Sequence, residues 1–361
     1  MKTLANKPDE GQVYKSDFDN IFPYSHIRRC LCNPDTGAIA SFLNHDSSRN
    51  TVDNVAADLT SGTYDVMVYI PAFYYKTTFT ETQTRYSILQ DEVTSMYKGD
   101  HQVHPAFIRE DGSIRPYVLV GAFKGSEKGN KLRSLAGVKP LVSKTIANFR
   151  DLARQNRSTN FNISTVQAIS ALQMLYVVEF ANLNSQTMLG EGWTEKSDSA
   201  TTGSTIDLGN RSGYLDTNGN QISYRGVEDL FGNIWEFVDG LIIKDDGYYI
   251  TNNSTYFGQA NNSVKIPIIP LTDENDSKNG YVTQMEKSPS IDYCFFPKAT
   301  GGSNNTYYCD YFFAHDKGEE NIALFGAHWH SGSLAGAFFW DWTNVAAVAG
   351  TDVGARLCFL P

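Results

Sequence analysis

The segment Ala323-Leu-Phe-Gly-Ala-His-Trp-His-Ser-Gly-Ser-Leu-Ala-Gly-Ala-Phe-Phe-Trp-Asp-Trp-Thr-Asn344, continued by Asp352-Val-Gly-Ala-Arg-Leu-Cys358, sets glycines at Gly326, Gly332, Gly336 and Gly354 between short strand-like runs. Read as a strand, Phe338 to Thr343 places Phe338, Trp340 and Trp342 on one face and Phe339, Asp341 and Thr343 on the other. The first face is uniformly large and apolar, and the second mixes chemical types. Trp329 stands between His328 and His330, so a buried indole there turns both imidazoles outward. The segment thus reads as a mixed surface laid over a packed aromatic base.

A second division of the same residues comes from the genetic code. His328, His330, Ser331, Leu334, Asp341, Thr343, Asn344, Val345 and Val348 can each arise from an Asn codon by changing its adenines alone, whereas Trp329, Trp340 and Trp342 cannot. On Ala323-Leu-Phe-Gly, Trp329, Gly332-Ser333, Ala335-Gly336-Ala337-Phe338 and Gly354-Ala355-Arg356-Leu357 the chain resembles the variable proteins of diversity-generating retroelements. In that family a reverse transcriptase miscopies template adenines and a lectin-like domain displays the resulting hypervariable surface. The resemblance implies a variable region over about 323–358. It also implies a ligand-contacting set of His328, His330, Ser331, Leu334, Phe339, Asp341, Thr343, Asn344, Val345 and Val348. Trp235, Trp329, Trp340, Trp342 and Arg356 are the expected structural support. A closing hairpin of an ordinary β-rich core is the plainer reading of the same glycine and aromatic pattern.

Upstream segments point to the same fold. Asp65-Val-Met-Val-Tyr-Ile-Pro-Ala-Phe-Tyr-Tyr75 is a strand signal interrupted by Pro71, and it is similar to the opening of the formylglycine-generating-enzyme branch of the C-type lectin fold. Tyr117 to Phe123 reads as a further strand. Thr145 to Arg154 has helical spacing at Ile146, Phe149, Leu152 and Ala153. Ser164-Thr-Val-Gln167 has the form of a capping box opening a helix that stops near Ala181. Tyr224-Arg-Gly-Val-Glu-Asp-Leu-Phe-Gly-Asn-Ile-Trp-Glu-Phe-Val-Asp-Gly240 closely resembles the structural Asp-Leu-x-Gly-Asn-Val-Trp-Glu-Trp segment of that branch, so Glu228, Asp229 and Glu236 are read as structural and not catalytic.

The expected fold class is therefore α+β, a C-type lectin fold of the formylglycine-generating-enzyme-like branch over residues 61–361. Residues 1–60 are expected to form a small N-terminal attachment or oligomerisation unit. Residues Asp245 to Asn321 read as an insertion of ordered loops and short strands packed by Tyr248, Tyr249, Phe295 and Phe296.

Composition limits the function. The chain has 361 residues, 41% hydrophobic and 13% aromatic, with a formal net charge of −10. An acidic surface without clustered Lys and Arg argues against a nucleic-acid partner. No apolar run is long enough to span a membrane, and the first ten residues lack the apolar core of a signal peptide. The sparse, odd set Cys30, Cys32, Cys294, Cys309 and Cys358 does not suggest a disulfide framework. It also lacks the close C-terminal cysteine pair by which formylglycine-generating oxidases bind copper.

Three metal readings are weighed and set aside. His328 and His330 lack completing ligands, and His26, Cys30, Cys32 and His45 have the wrong spacing for a zinc knuckle. Asp216 to Gln221 has Gln where a calcium loop needs its sixth-position Gly, so a hairpin turn is favoured. No cofactor is expected. The reading is a receptor-binding protein at a phage tail tip, or extracellular, whose partner is a protein or glycan on a target cell. Homo-oligomerisation would multiply weak affinities. A bacterial surface adhesin of the same fold is the alternative, and an oxidase-like enzyme a more distant one.

Overall fold

The computed structural model describes residues 16–89, 99–215, 221–260, 263–266, 279–314 and 318–361. The proposed turn at Asp216, together with Pro267, Pro270 and the first ten residues, lies outside them. Strand formation begins well before Tyr64. β1 (Arg28–Cys32) pairs antiparallel with both β2 (Ile39–Phe42) and β3 (Asp65–Pro71), with Cys30 opposite Met67. Cys30, Leu31 and Cys32 are buried, so this part of the N-terminal segment shares the main core and is not set apart from it. The contact is close: a Cβ added to Gly209, whose φ is +58°, would lie 1.9 Å from the carbonyl oxygen of His45.

A hairpin of β4 (Tyr74–Phe79) and β5 (Thr84–Leu89) follows. β6 (Tyr117–Gly121) then completes the centre of the first sheet, ordered β7-β17-β6-β3-β1-β2, where β7 is Phe161–Ile163 and β17 is Leu357–Phe359. The opening strand β3 and the closing strand β17 do not pair directly with each other. Each pairs with β6, through Val68–Val120 and Val120–Cys358.

The helices fall close to their sequence signals. α1 (Ile146–Arg154) is capped by Thr145, whose hydroxyl accepts from the Asn148 N–H. α2 (Val166–Phe180) ends where Ala181 turns left-handed. Its cap is Thr165 and not Ser164. The Ser164 hydroxyl instead donates to Glu236 at 3.3 Å, and the Gln167 amide to the Thr251 carbonyl at 3.1 Å. α2 has apolar residues on every side because nearly all of it is buried.

The second sheet, among the described residues, runs β10 (Val264–Ile266), β9 (Gly247–Ile250), β8 (Trp235–Lys244), β14 (Asn321–Phe325), β15 (Trp340–Asn344), β13 (Tyr311–Phe313), β11 (Gly280–Met285), β12 (Pro297–Thr300). β16 (Val353–Gly354) lies parallel to β8. Five of these strands come from the segment expected to be an insertion of ordered loops and short strands, so its strands are integral to the sheet. Strands and helices together make the chain α+β.

Buried charge joins the two sheets. The Arg356 guanidinium donates to Glu236 at 2.8 Å and to the carbonyls of Gly121, Glu228 and Asp229, while Lys124 reaches Glu236 at 2.7 Å. Burial alone would raise Glu236, but Arg356 and Lys124 outweigh it and leave the carboxyl below the usual range. Such a cluster is costly to break on one side only. Glu228, Asp229 and Glu236 are all buried inside this scaffold.

Candidate ligand-binding face

β15 is an interior strand. Phe325 and Phe312 flank Trp340 in register on either side, and Leu324 and Phe313 flank Asp341. The alternation expected from sequence holds from Trp340 to Thr343, with Trp340 and Trp342 fully buried and Asp341 and Thr343 half-exposed, and it ends at Asn344, which is half-exposed beyond a register shift. Trp340 packs between Phe325 and Phe296, and its Nε1–H donates to the Phe295 carbonyl at 3.0 Å. Trp342 sits edge-on to Tyr248, Phe296 and Phe312, and its Nε1 has no hydrogen-bond partner. At the surface, the Asp341 carboxylate accepts both the Thr343 N–H at 2.9 Å and the Thr343 hydroxyl at 2.7 Å.

Two expected placements are corrected. Phe339 is fully buried, not exposed, with its ring 4.7 Å from Trp235 and 5.7 Å from Phe313. The strand begins only at Trp340, so residue 339 belongs to a turn closed by its N–H on the Gly336 carbonyl, where period-two alternation does not apply. Trp329 is half-buried, not a base of the core. Residues 327–331 form a turn in which the Ser331 N–H donates to the His328 carbonyl. Trp329 is held there by its backbone, through the Asn233 carbonyl and the Lys196 N–H.

In that turn His330 is exposed, while His328 is half-buried and stacked on Trp235 with 6.1 Å between ring centres. His328 Nδ1 lies 3.5 Å from Asp352. Burial lowers the His328 pKa, Asp352 opposes this and the neighbouring His330 reinforces it; the net direction is down. Leu334, Ser331 and Val348 are half-exposed and Val345 is 40% exposed. Trp235 and Arg356 are buried as expected.

The loop between β14 and β15 is positioned by polar side chains that sequence reasoning missed. The Gln186 amide of α3 (Ser185–Leu189) donates to the carbonyls of Gly332 and Ala335 at 2.9 and 3.0 Å. The Gln173 amide donates to Ala337, and the Ser185 hydroxyl accepts the Ala337 N–H. Buried Asp310 accepts the Phe338 N–H at 2.7 Å, and a Cβ on Gly336 would fall 2.0 Å from its carboxylate. Gln173, a polar residue within the mainly apolar and buried α2, was the one available signal.

The face offers imidazole, hydroxyl, amide, carboxylate and aliphatic groups. All five cysteines are buried and unbridged, and burial raises every thiol, that of Cys30 to about 12. Among the described residues no three His, Cys, Asp or Glu gather at one candidate metal position, and no helix is long and apolar enough to cross a membrane.

Among solved structures the chain is similar to variants of the Major Tropism Determinant. For the U1 variant the identity is 13%, over 92% of this chain and 71% of that one, with a TM-score of 0.31. For the P3c variant it is 10%, over 98% and 96%, with a TM-score of 0.34. The Treponema denticola variable protein 1 is 12% identical over 84% and 98%, with a TM-score of 0.29. No family model and no curated protein matches the chain.

Proposed function

We propose that the protein is a receptor-binding protein that displays a variable surface on a C-type lectin-type scaffold of the formylglycine-generating-enzyme-like branch. One observation carries this reading. His328, His330, Ser331, Leu334, Asp341, Thr343, Asn344, Val345 and Val348, each reachable from an Asn codon through its adenines, all lie at least partly exposed, although Phe339, equally reachable, is buried. Trp340 and Trp342, which are not reachable, are buried, and Trp329, also not reachable, is half-buried. A paratope needs this arrangement: interchangeable contacts on a base whose rotamers are locked by packing. The partner is a protein or glycan on a target cell, and the carrier is a phage tail tip. Oligomerisation through the N-terminal segment would add avidity.

Sequencing the DNA downstream tests the proposal. The expected result is a near-copy of the segment encoding residues 323–358 that differs only where the copy has adenine, beside a reverse transcriptase gene. Absence of that copy, or differences scattered over the codons of Trp340 and Trp342, would overturn it. Neighbouring tail genes support the phage assignment, and an isolated cellular locus supports the adhesin instead.

A further inference from the structure

Arg115 presents a physical problem that the display function does not touch. It is 7% exposed, and among the described residues no Asp or Glu forms an ion pair with it. Its Nη1 and Nη2 reach the carbonyls of Ala106 and Ile108 only at 3.5 and 3.4 Å, the long limit of a hydrogen bond, and its Nε has no partner. The ionisable groups acting on it are the Cys358 thiol and a like charge, Arg109. A buried cation left without a counter-charge is costly, and native structures supply one.

The space for a counter-charge exists. Arg115 lines a cavity of about 240 Å³ together with Arg109, Asn160, Asn162 and Asn252. That volume is several times the roughly 30 Å³ share of a water molecule. Arg109 is oriented by bonds to the backbone oxygen of Pro361, the last residue, and to the Ile114 carbonyl, both at 2.9 Å. Glu110, the one acidic side chain in the lining among the described residues, is engaged by the Asn253 amide. The lining comes from the segment before β6, the entry to β7, the exit from β9 and the residues after β17, and so from both sheets.

We propose that this cavity binds a small tetrahedral oxyanion, phosphate or sulfate, free or as the terminal group of a larger molecule. Arg115 is its charge partner, and Arg109 and the asparagine amides are further donors. A guanidinium matches such an oxyanion through paired N–H groups. Because both sheets contribute, a bound anion stabilises the folded chain by mass action.

The test uses the full chain, titrated with inorganic phosphate, with glycerol phosphate and with chloride at matched ionic strength, read by thermal unfolding and calorimetry. Phosphate should raise Tm saturably while chloride does not. Arg115→Gln should weaken phosphate binding at least tenfold, with Arg115→Lys between the two. If Arg115→Gln does not fold, Arg109→Gln at the more open side should weaken binding at least threefold. Tighter binding of glycerol phosphate than of phosphate identifies the terminal group of a larger molecule, and the reverse identifies the free ion. No saturable effect beyond that of chloride, or equal binding by the variants, overturns the proposal.

Discussion

The two indoles of β15 should respond differently to the same substitution. Replacing either Trp by Phe removes one ring's worth of buried area, about 1 kcal/mol of transfer free energy. At Trp340 the change also removes the bond from Nε1–H to the Phe295 carbonyl. A buried group that loses its partner costs a further 1–3 kcal/mol or so. Trp340→Phe should therefore destabilise by about 2–4 kcal/mol. At Trp342 the indole N–H is buried with no partner, so Phe removes an unsatisfied donor and recovers about 1 kcal/mol or more. Trp342→Phe should cost no more than about 1 kcal/mol. Urea denaturation of both variants, followed by circular dichroism and fitted with a common m-value, measures the difference. Equal losses, or a larger loss at Trp342, would mean that hydrogen bonding does not distinguish the two rings.

At the surface, His330→Ala should shift stability by less than about 0.5 kcal/mol, whereas Asp341→Ala, which removes the acceptor for Thr343, should cost about 0.5–1.5 kcal/mol by the same urea assay. Burial raises the Asp310 carboxyl well above its usual value and the Phe338 N–H only partly opposes this, so its contribution is fully present below about pH 4 and is lost as pH rises through the folded pKa. Asp310→Asn, which keeps an oxygen for Phe338, should flatten the fall in Tm between pH 4 and 8; an unchanged slope counts against the assignment. Gly209→Ala should destabilise by about 3 kcal/mol or more, since it combines a positive φ with a collision against the His45 backbone. A thermal melt within a degree or two of the parent would show that residues 28–60 dock only loosely.

The parts legible in the sequence were those where one local rule decided the outcome. The helix over Ile146–Arg154 and the stop of α2 at Ala181 both follow from short-range chemistry. The face of β15 was legible because a central strand imposes a period of two. Phe339 and Trp329 were misplaced because that period was extended into turns, whose side-chain directions are set by distant partners such as Gln186 and Asn233. Short strands between Asp245 and Asn321 were expected, but their place inside the second sheet was not legible, because β9 and β13 pair with β8 and β15 from outside the segment. The docking of β1 onto β3 is a contact across more than thirty residues, and nothing in residues 28–32 announces it.

An interior position for β15 has a consequence for populations of sequences. Its backbone is paired on both edges by β14 and β13, so the hydrogen-bond ladder is indifferent to which side chains point outward. If each outward replacement shifts stability by about 0.5 kcal/mol in either direction, independent shifts over the exposed positions add as a random walk to about 1.5 kcal/mol. That is well inside the roughly 5–15 kcal/mol by which a typical domain is stable. Most members of a randomised library should then fold, and selection among them can act on binding alone.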